Sequence, residues 1–206
     1  MMRKVFVTGI GTDVGKTVVS AILTEAWQAD YWKPIQSGEL NKSDSYRVKR
    51  LISNDKTVFH KEAYRLKEPL SPHASAEIDG VKIRMSKLLK LPETDNTLLI
   101  EGAGGLMVPF NYKGDTVTDF AIEAGCEIVL VVRHYLGSIN HTLLSLEYLK
   151  NRQANVLGII YNGEPNEASE KVIENYSKIQ VLGRIGHEYE FTRELIKEYS
   201  LDFVFI

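Results

Sequence analysis

Residues 9–17 constrain the fold of this chain more than any other stretch. They read Gly-Ile-Gly-Thr-Asp-Val-Gly-Lys-Thr and directly follow residues 4–8, an apolar run with the composition of a β-strand. A strand, a glycine-rich turn and Gly-Lys-Thr at the start of a helical pattern are typical of a phosphate-binding loop. Glycines let backbone N–H groups close around phosphate oxygens, and the following helix directs its positive end at them. Lys16 would reach the β- and γ-phosphates, and the Thr17 hydroxyl would hold Mg²⁺.

The loop departs from the standard pattern at position 10. The pattern expects glycine five residues before Gly15, whereas this chain has Ile10 with glycines on either side of it. The alternative interpretation is a glycine-rich turn that merely joins a strand to a helix. The preceding strand and the Gly-Lys-Thr triplet favour the phosphate loop.

Strand-like and helix-like segments alternate along the whole chain. Several of the strand candidates are continuous apolar runs, such as residues 128–132, which is typical of strands covered on both faces. The predicted strands are 4–8, 31–34, 97–101, 127–133, 156–161, 180–185 and 203–206. The predicted helices are 16–28, 44–51, 86–91, 117–124, 139–152, 168–177 and 189–198, with Leu143, Leu144, Leu146 and Leu149 on the buried face of the fifth. This alternation predicts an α/β fold of the P-loop NTPase type, with a mostly parallel sheet flanked by helices on both faces, as one domain over residues 1–206.

Charge, apolar content and cysteine content limit the classes of function that this chain can have. With 25 basic and 27 acidic residues among 206, charge gives no reason to expect a nucleic-acid or membrane partner. We expect a cytoplasmic protein, because the chain opens on a strand, has no apolar stretch of membrane-spanning length and carries a single cysteine. That cysteine, Cys126, is predicted to be a buried structural thiol rather than a nucleophile.

Polar residues follow the ends of the predicted strands, where ligands bind on a parallel sheet. Lys33 ends the second strand, and Glu101 ends the third after an apolar run. Asp44 opens the next helix. A carboxylate in this position can organise Mg²⁺, and a second lysine can neutralise charge on a transferred phosphoryl group. The alternatives are an ordinary turn acid for Glu101, a helix-capping acid for Asp44 and a solvent-exposed lysine for Lys33.

Six blocks of sequence lie in a characteristic order between residue 5 and about residue 162. They are Val7-Thr8-Gly9…Gly11-Thr12-Asp13-Val14-Gly15-Lys16-Thr17, Tyr31…Lys33-Pro34-Ile35…Ser37-Gly38, Ser43-Asp44, Pro69…Ser71-Pro72-His73, Glu101-Gly102-Ala103-Gly104-Gly105 and Leu136-Gly137-Ser138-Ile139-Asn140-His141. In order and spacing they resemble the dethiobiotin synthetase family of the biotin pathway. A phosphate loop alone indicates only a superfamily, and the blocks at 33–38 and 136–141 are far more specific.

The resemblance implies an ATP-dependent carbon–nitrogen ligase that closes the ureido ring of dethiobiotin. Its substrates would be 7,8-diaminononanoate, CO₂ or bicarbonate, and ATP as co-substrate with Mg²⁺. The route would pass through a carbamate and a carbamic–phosphoric mixed anhydride. The catalytic positions match Lys33, Lys16 and Thr12, and the metal positions match Thr17, Asp44 and Glu101. The nucleotide-binding positions match Asp13, Val14, Gly15, Lys16, Thr17, Val18, Asp44, Glu101, Gly102, Ala103, Gly104, Asn162 and Gly163.

The resemblance also implies a homodimer with the substrate at the subunit interface. Ser37 would bind the carbamate or the substrate within one subunit. The start of a helix in the neighbouring subunit would bind the distal carboxylate through Gly137, Ser138, Ile139 and Asn140. The alternative for Ser138 and Asn140 is simple helix capping. His73 and His141 are expected to be structural.

The last third of the chain departs from the family pattern. The family recognises adenine partly through an Asn-Asp pair, and here Asn162 is followed by Gly163. The later Gly-x-Ile-Pro block reads Gly183-Arg184-Ile185-Gly186, without its proline. We therefore expect other nucleoside triphosphates to be used better than in typical relatives, and an assay with a panel of nucleotides showing sharp ATP selectivity would contradict this.

Two other functions share this architecture. A cofactor-amidation enzyme would normally carry a glutaminase domain, for which 206 residues leave no room. A nucleotide-dependent switch or partitioning protein would usually have an extra lysine near the start of the loop, and no residue between Thr8 and Val14 is lysine.

Overall fold

The structure is a computed structural model that describes residues 2–204. Its strands are β1 (Lys4–Gly9), β2 (Asp30–Trp32), β3 (Ile35–Ser37), β4 (Phe59–His60), β5 (Tyr64–Leu66), β6 (Leu98–Gly105), β7 (Glu127–Arg133), β8 (Val156–Asn162) and β9 (Val181–Ile185). Its α-helices are α1 (Lys16–Trp27), α2 (Asp44–Leu51), α3 (Pro72–Ile78), α4 (Met85–Leu88), α5 (Val117–Glu123), α6 (Ser138–Asn151), α7 (Glu167–Ser177) and α8 (Arg193–Ser200). Short 3₁₀ turns cover Leu40–Lys42 and Leu201–Phe203.

Seven strands form one parallel sheet in the order β4-β2-β6-β1-β7-β8-β9. β3 and β5 form a separate parallel pair. The predicted fold class, a mostly parallel sheet flanked by helices, is confirmed.

Apolar residues cover both faces of this sheet. In β7, Ile128, Leu130 and Val132 belong to one buried cluster, while Val129 and Val131 belong to the other. Successive side chains of a strand point to opposite faces, so a continuous apolar run serves two cores at once. The first cluster packs under α3 to α7, and the second packs under α1, α2 and α8.

The strand register brings the carboxyl ends of three strands together. β1 lies between β6 and β7, and Val7 of β1 is paired with Glu101 of β6. β2 lies on the other side of β6, with Trp32 paired with Ile100. The loop after β1, the residue after β2 and the acid in β6 therefore meet at one edge of the sheet.

The predicted strand at 203–206 is wrong as far as the described residues reach, and residues 205–206 lie outside them. Phe203 belongs to a 3₁₀ turn, and its buried ring packs so closely on Gly183 that a Cβ there would lie 2.6 Å from the ring. Its carbonyl accepts a hydrogen bond from the Trp27 indole at 2.8 Å. A turn that packs on the face of a sheet and a strand within the sheet both need apolar residues. The sequence pattern alone therefore did not distinguish these two structures.

Helix predictions needed smaller corrections. The helix predicted at 189–198 begins at Arg193, because the Thr192 side chain caps it by accepting from the Leu195 N–H. The helix predicted at 86–91 covers only Met85–Leu88, and α3 was not predicted. On α6, Leu146 and Leu149 are buried as expected, but Leu144 is exposed. The strand predicted at 31–34 ends at Trp32 in the structure.

Two further expectations can be compared with the structure. Cys126 is buried, and burial raises the pKa of its thiol to about 12, which agrees with a structural role. Within residues 2–204, no helix has the length and apolar character needed to cross a membrane.

Candidate active site

The phosphate loop connects β1 to α1 in a tightly packed conformation. Gly15 has a φ of 97°, in the left-handed region, and a Cβ added to it would lie 2.0 Å from the Asn162 amide. Glycine is required there on both grounds. The Ile10 N–H donates to the Val131 carbonyl at 3.2 Å, so position 10 extends the contact between β1 and β7. Ile10 is not among the described residues with a positive φ, and its side chain packs against both buried clusters, so this position does not require glycine here.

Lys16 lies at the start of α1 and folds back over the loop. Its Nζ donates to the Gly11 carbonyl at 3.0 Å, and the residue is 8 % exposed. Burial, reinforced by the positive charge of Lys33, lowers the pKa of Lys16 to about 8. Because the Lys16 ammonium group has lost its hydrating water, a bound anion would stabilise its charged form.

Lys33 is buried between two carboxylates. Its Nζ lies 2.7 Å from Asp44 Oδ2 and 3.0 Å from Glu101 Oε1, and it donates to the Gly102 carbonyl at 2.9 Å. Burial alone would lower the pKa of Lys33, but the charges of Glu101 and Asp44 outweigh burial and hold that pKa above its usual value. Lys33 is therefore a fixed cation and not a solvent-exposed lysine.

Glu101 lies inside β6 and is 1 % exposed, so it is not an ordinary turn acid. Its Oε1 accepts from the Thr17 hydroxyl at 2.9 Å as well as from Lys33, and its Oε2 accepts from the Tyr31 hydroxyl at 2.8 Å. Asp44 is the first residue of α2, but the side chain that caps this helix belongs to Ser43. Burial opposes ionisation of Asp44, while the charge of Lys33 outweighs it and lowers the pKa of that carboxyl.

Thr17, Asp44 and Glu101 bring oxygen ligands to one place. Hard oxygen donors suit Mg²⁺, which usually takes one or two protein carboxylates and completes its shell with water and phosphate oxygens. Across residues 2–204, no three His, Cys, Asp or Glu side chains form a group that could hold a metal by themselves. A magnesium ion that arrives with a triphosphate fits this donor set better than a permanently bound metal does.

A crevice of about 670 Å³ opens over these groups. Most of the predicted catalytic, nucleotide and metal positions line it, namely Thr12, Asp13, Gly15, Lys16, Thr17, Val18, Lys33, Ser37, Asp44, Glu101, Ala103 and Gly104. The Ser37 hydroxyl is buried and has no hydrogen-bond partner among the described residues, so it is available to a ligand. A larger groove of about 880 Å³, next to His73 and Tyr112, contains none of the predicted site residues.

The remaining predicted residues lie outside the crevice lining. Val14 and Gly102 are packed behind it, since Val14 is buried and a Cβ on Gly102 would lie 2.7 Å from the Phe6 ring. Asn162 ends β8 and donates its side-chain amide to the Val14 carbonyl at 2.8 Å, which pins the phosphate loop. Gly163 follows it with a φ of 102° and lies beside Arg133.

The start of α6 forms a separate exposed feature. Gly137 is the N-cap residue with a φ of 102°, Ser138 is buried, Ile139 is half-buried and Asn140 is exposed. Within the described chain, no side chain makes a capping hydrogen bond at this helix start, so neither Ser138 nor Asn140 caps it. The Tyr135 hydroxyl lies 3.9 Å from the position of a Cβ on Gly11, so this turn adjoins the phosphate loop.

Neither histidine of the sequence blocks lines the crevice. His141 Nδ1 lies 2.8 Å from the Tyr135 hydroxyl, and the His73 ring packs edge-on against Tyr112 with ring centres 5.3 Å apart.

Sequence reasoning assigned no role to Tyr31, which contacts Glu101 from outside the crevice lining, or to Gln36, which lines the crevice. Tyr31 shares with Lys33 a two-residue spacing and therefore one face of the chain as it leaves β2. That spacing was the available signal for Tyr31, whereas the contacts of Gln36 depend on how the following turn folds.

Comparison with known proteins shows which protein family this chain resembles. A family model described as an AAA domain matches residues 3–194. The ATP-dependent dethiobiotin synthetase of Christiangramia forsetii is 53% identical over 98% of this chain and 97% of its own length. That of Cytophaga hutchinsonii is 46% identical over 97% of this chain and 96% of its own length. Among solved structures, the septum site-determining protein MinD from Pyrococcus horikoshii has a TM-score of 0.63 at 14% identity, covering 97% of this chain and 86% of that one, which shows the fold alone.

Proposed function

Because this chain belongs to the family of ATP-dependent dethiobiotin synthetases, we propose that its crevice closes the ureido ring of dethiobiotin from 7,8-diaminononanoate, CO₂ and ATP. The enzyme is a carbon–nitrogen ligase. The observation that carries the detailed proposal is the buried Lys33, held between two carboxylates beside the phosphate loop.

The chemistry begins when one amine of the substrate captures CO₂ as a carbamate and releases a proton. A carbamate oxygen takes the γ-phosphoryl group of ATP, and ADP leaves. The second amine then attacks the carbonyl carbon of this mixed anhydride, so that the ring closes and phosphate departs. ATP is needed because phosphorylation turns a poor leaving group into a good one.

Fixed cations meet the main difficulty of this reaction, which is to bring an anionic carbamate to an anionic triphosphate. Lys16 and Lys33 line the same crevice, and both have already lost most of their water. Preorganised charges of this kind stabilise developing negative charge without further reorganisation. Thr12 and the unpartnered Ser37 hydroxyl would hydrogen-bond the carbamate or the substrate.

The phosphate loop would bind ATP through backbone N–H groups between Asp13 and Val18, with Ala103 and Gly104 on the opposite wall and Gly102 packed behind them. Thr17, Asp44 and Glu101 would hold Mg²⁺. Bound there, the ion would neutralise the charge of the phosphate groups. Asn162 and Gly163 would lie near the base, where the missing acid partner favours relaxed nucleotide selectivity.

The distal carboxylate of the substrate would bind at the start of α6 in a second copy of the chain. Four features support this part of the proposal. Gly137 to Asn140 form a helix start, which suits an anion. In residues 2–204 no side chain caps that start, Asn140 is exposed, and Leu136 is a fully exposed apolar residue beside it. A homodimer would cover Leu136 and complete the site. The buried thiol of Cys126 fits a reducing cytoplasm.

The test is phosphate release that depends on 7,8-diaminononanoate, measured with ATP, magnesium and added bicarbonate, with dethiobiotin identified by mass spectrometry. Reactions without the diamine and without bicarbonate are the controls. Phosphate release that is indifferent to the diamine, with no dethiobiotin formed, would overturn the proposal.

A further inference from the structure

The two carboxylates that flank Lys33 are each connected to a second polar residue from the same stretch of chain. Tyr31 lies two residues before Lys33 and Gln36 lies three residues after it. Tyr31 contacts Glu101, and Gln36 contacts the backbone of Asp44. Both side chains are buried, and Gln36 also belongs to the lining of the crevice, whereas Tyr31 does not.

Tyr31 controls one oxygen of Glu101. Its hydroxyl donates to Glu101 Oε2 at 2.8 Å, and its ring is fully buried with its centre 5.5 Å from that of Phe59. The opposite oxygen, Oε1, accepts from Thr17 and Lys33. This hydrogen bond to one oxygen restrains rotation of the carboxylate and keeps the other oxygen directed at Thr17 and Lys33.

Gln36 holds the start of α2. Its side-chain carbonyl accepts from the Asp44 N–H at 3.1 Å, and its amide donates to the Gly38 carbonyl at 3.1 Å. The Asp44 N–H is one of the helix-start donors that have no partner within a helix. Gln36 therefore fixes the point at which Asp44 leaves the backbone, and it ties that point to the Ser37–Gly38 turn.

Resting on the function proposed above, we propose that Tyr31 and Gln36 are positioning residues for the Lys33 centre. Tyr31 sets the orientation of Glu101, and Gln36 sets the position of Asp44. Tyr31 lies outside the crevice lining, and the side-chain amide of Gln36 is engaged by the backbone of Asp44 and Gly38, so both act through the groups that they hold. Their joint effect is to hold two carboxylates and one ammonium group at fixed distances from the phosphate loop, ready for a nucleotide with its magnesium ion.

The first test is Tyr31→Phe, which removes a single hydroxyl and keeps the packed ring. The matched control is Tyr64→Phe, because the Tyr64 hydroxyl is also in a buried residue and accepts one hydrogen bond, from the Arg84 N–H at 3.0 Å, outside the site. We expect kcat to fall about tenfold in Tyr31→Phe, the size expected for a lost hydrogen bond to a charged group. KM for the diamine should change by less than about twofold, and Tyr64→Phe should keep the kcat of the unmodified protein.

A binding measurement supplies a readout besides activity. Calorimetry gives the affinity for ADP with and without magnesium, and the ratio of the two reports the contribution of the ion. We expect this ratio to shrink several-fold in Tyr31→Phe and in Gln36→Met, which keeps the side-chain length and removes both hydrogen bonds. It should be unchanged in Tyr64→Phe.

Two outcomes would overturn the inference. One is an unchanged magnesium ratio and kcat in both variants. The other is a loss of kcat that follows only the melting temperature, equally in Tyr31→Phe and Tyr64→Phe. Different results would refute the positioning roles and the proposed function. An unmodified protein without diamine-dependent phosphate release would refute the function, while the ADP and magnesium titrations would still decide the positioning roles.

Discussion

Lys33 is in an environment that a lysine rarely occupies. It is almost fully buried, and the carboxylates of Asp44 and Glu101 both lie within 3.0 Å of its ammonium group. Neither carboxylate can lose this partner without leaving charge unbalanced in a poorly solvated place. The stability and the proposed chemistry of the site therefore depend on the same atom.

We predict that Lys33→Ala abolishes ring closure and leaves ADP binding largely intact, because the phosphate loop and Lys16 are unchanged. Removing one partner of a buried ion pair should also lower the free energy of unfolding by about 3–5 kcal/mol. Phosphate release, calorimetry with ADP and denaturant unfolding measure the three effects. Lys67→Ala, at an exposed position, is the control. Survival of activity in Lys33→Ala would refute the catalytic assignment.

At the scale of secondary structure, the site lies where the ends of strands and the starts of helices come together. The phosphate loop is held from β8 by Asn162, whose amide donates to the Val14 carbonyl, and it is approached by the turn before α6. Asn162 can therefore act on any bound nucleotide through the loop, in addition to the contact with a base proposed above.

These two roles of Asn162 predict different nucleotide dependence. We expect Asn162→Ala to weaken binding of ADP and GDP by the same factor, about tenfold, since the loop loses an anchor whichever base is bound. Calorimetry with both nucleotides measures this, with Asn155→Ala at the opposite end of β8 as control. A loss confined to ADP would show that Asn162 acts through adenine recognition.

The start of α6 carries a prediction about the substrate. We expect Asn140→Asp to raise KM for the diamine about tenfold and to leave KM for ATP unchanged, because a negative charge at this helix start repels the distal carboxylate. Asn151→Asp at the far end of the same helix is the matched control. If the diamine KM is the same in both variants, the carboxylate binds elsewhere.

At the scale of the whole molecule, the exposed apolar residue Leu136 adjoins the proposed substrate site. Leu136 is fully exposed, whereas the apolar residues of the sheet are buried on both faces. A second copy of the chain that covered Leu136 would bury its apolar surface and complete the proposed site.

We predict that Leu136→Glu shifts the protein from dimer to monomer and raises KM for the diamine. Sedimentation velocity and steady-state kinetics measure the two effects. Leu201→Glu, at an exposed position after α8, should change neither. An unmodified protein that sediments as a monomer at working concentrations would refute the dimer.

The sequence by itself determined the phosphate loop, the parallel α/β fold and about half of the residues that line the crevice. These features depend on local patterns: glycine spacing, apolar runs and acids or lysines at strand ends. Only the tertiary structure decided that Lys33 is enclosed by Asp44 and Glu101, that Tyr31 and Gln36 hydrogen-bond to those two acids, that Asn162 holds the loop, and that Phe203 packs on the sheet instead of extending it. Each of these depends on residues far apart in the chain, whose distance is set by sheet order and register and not by their neighbours in sequence.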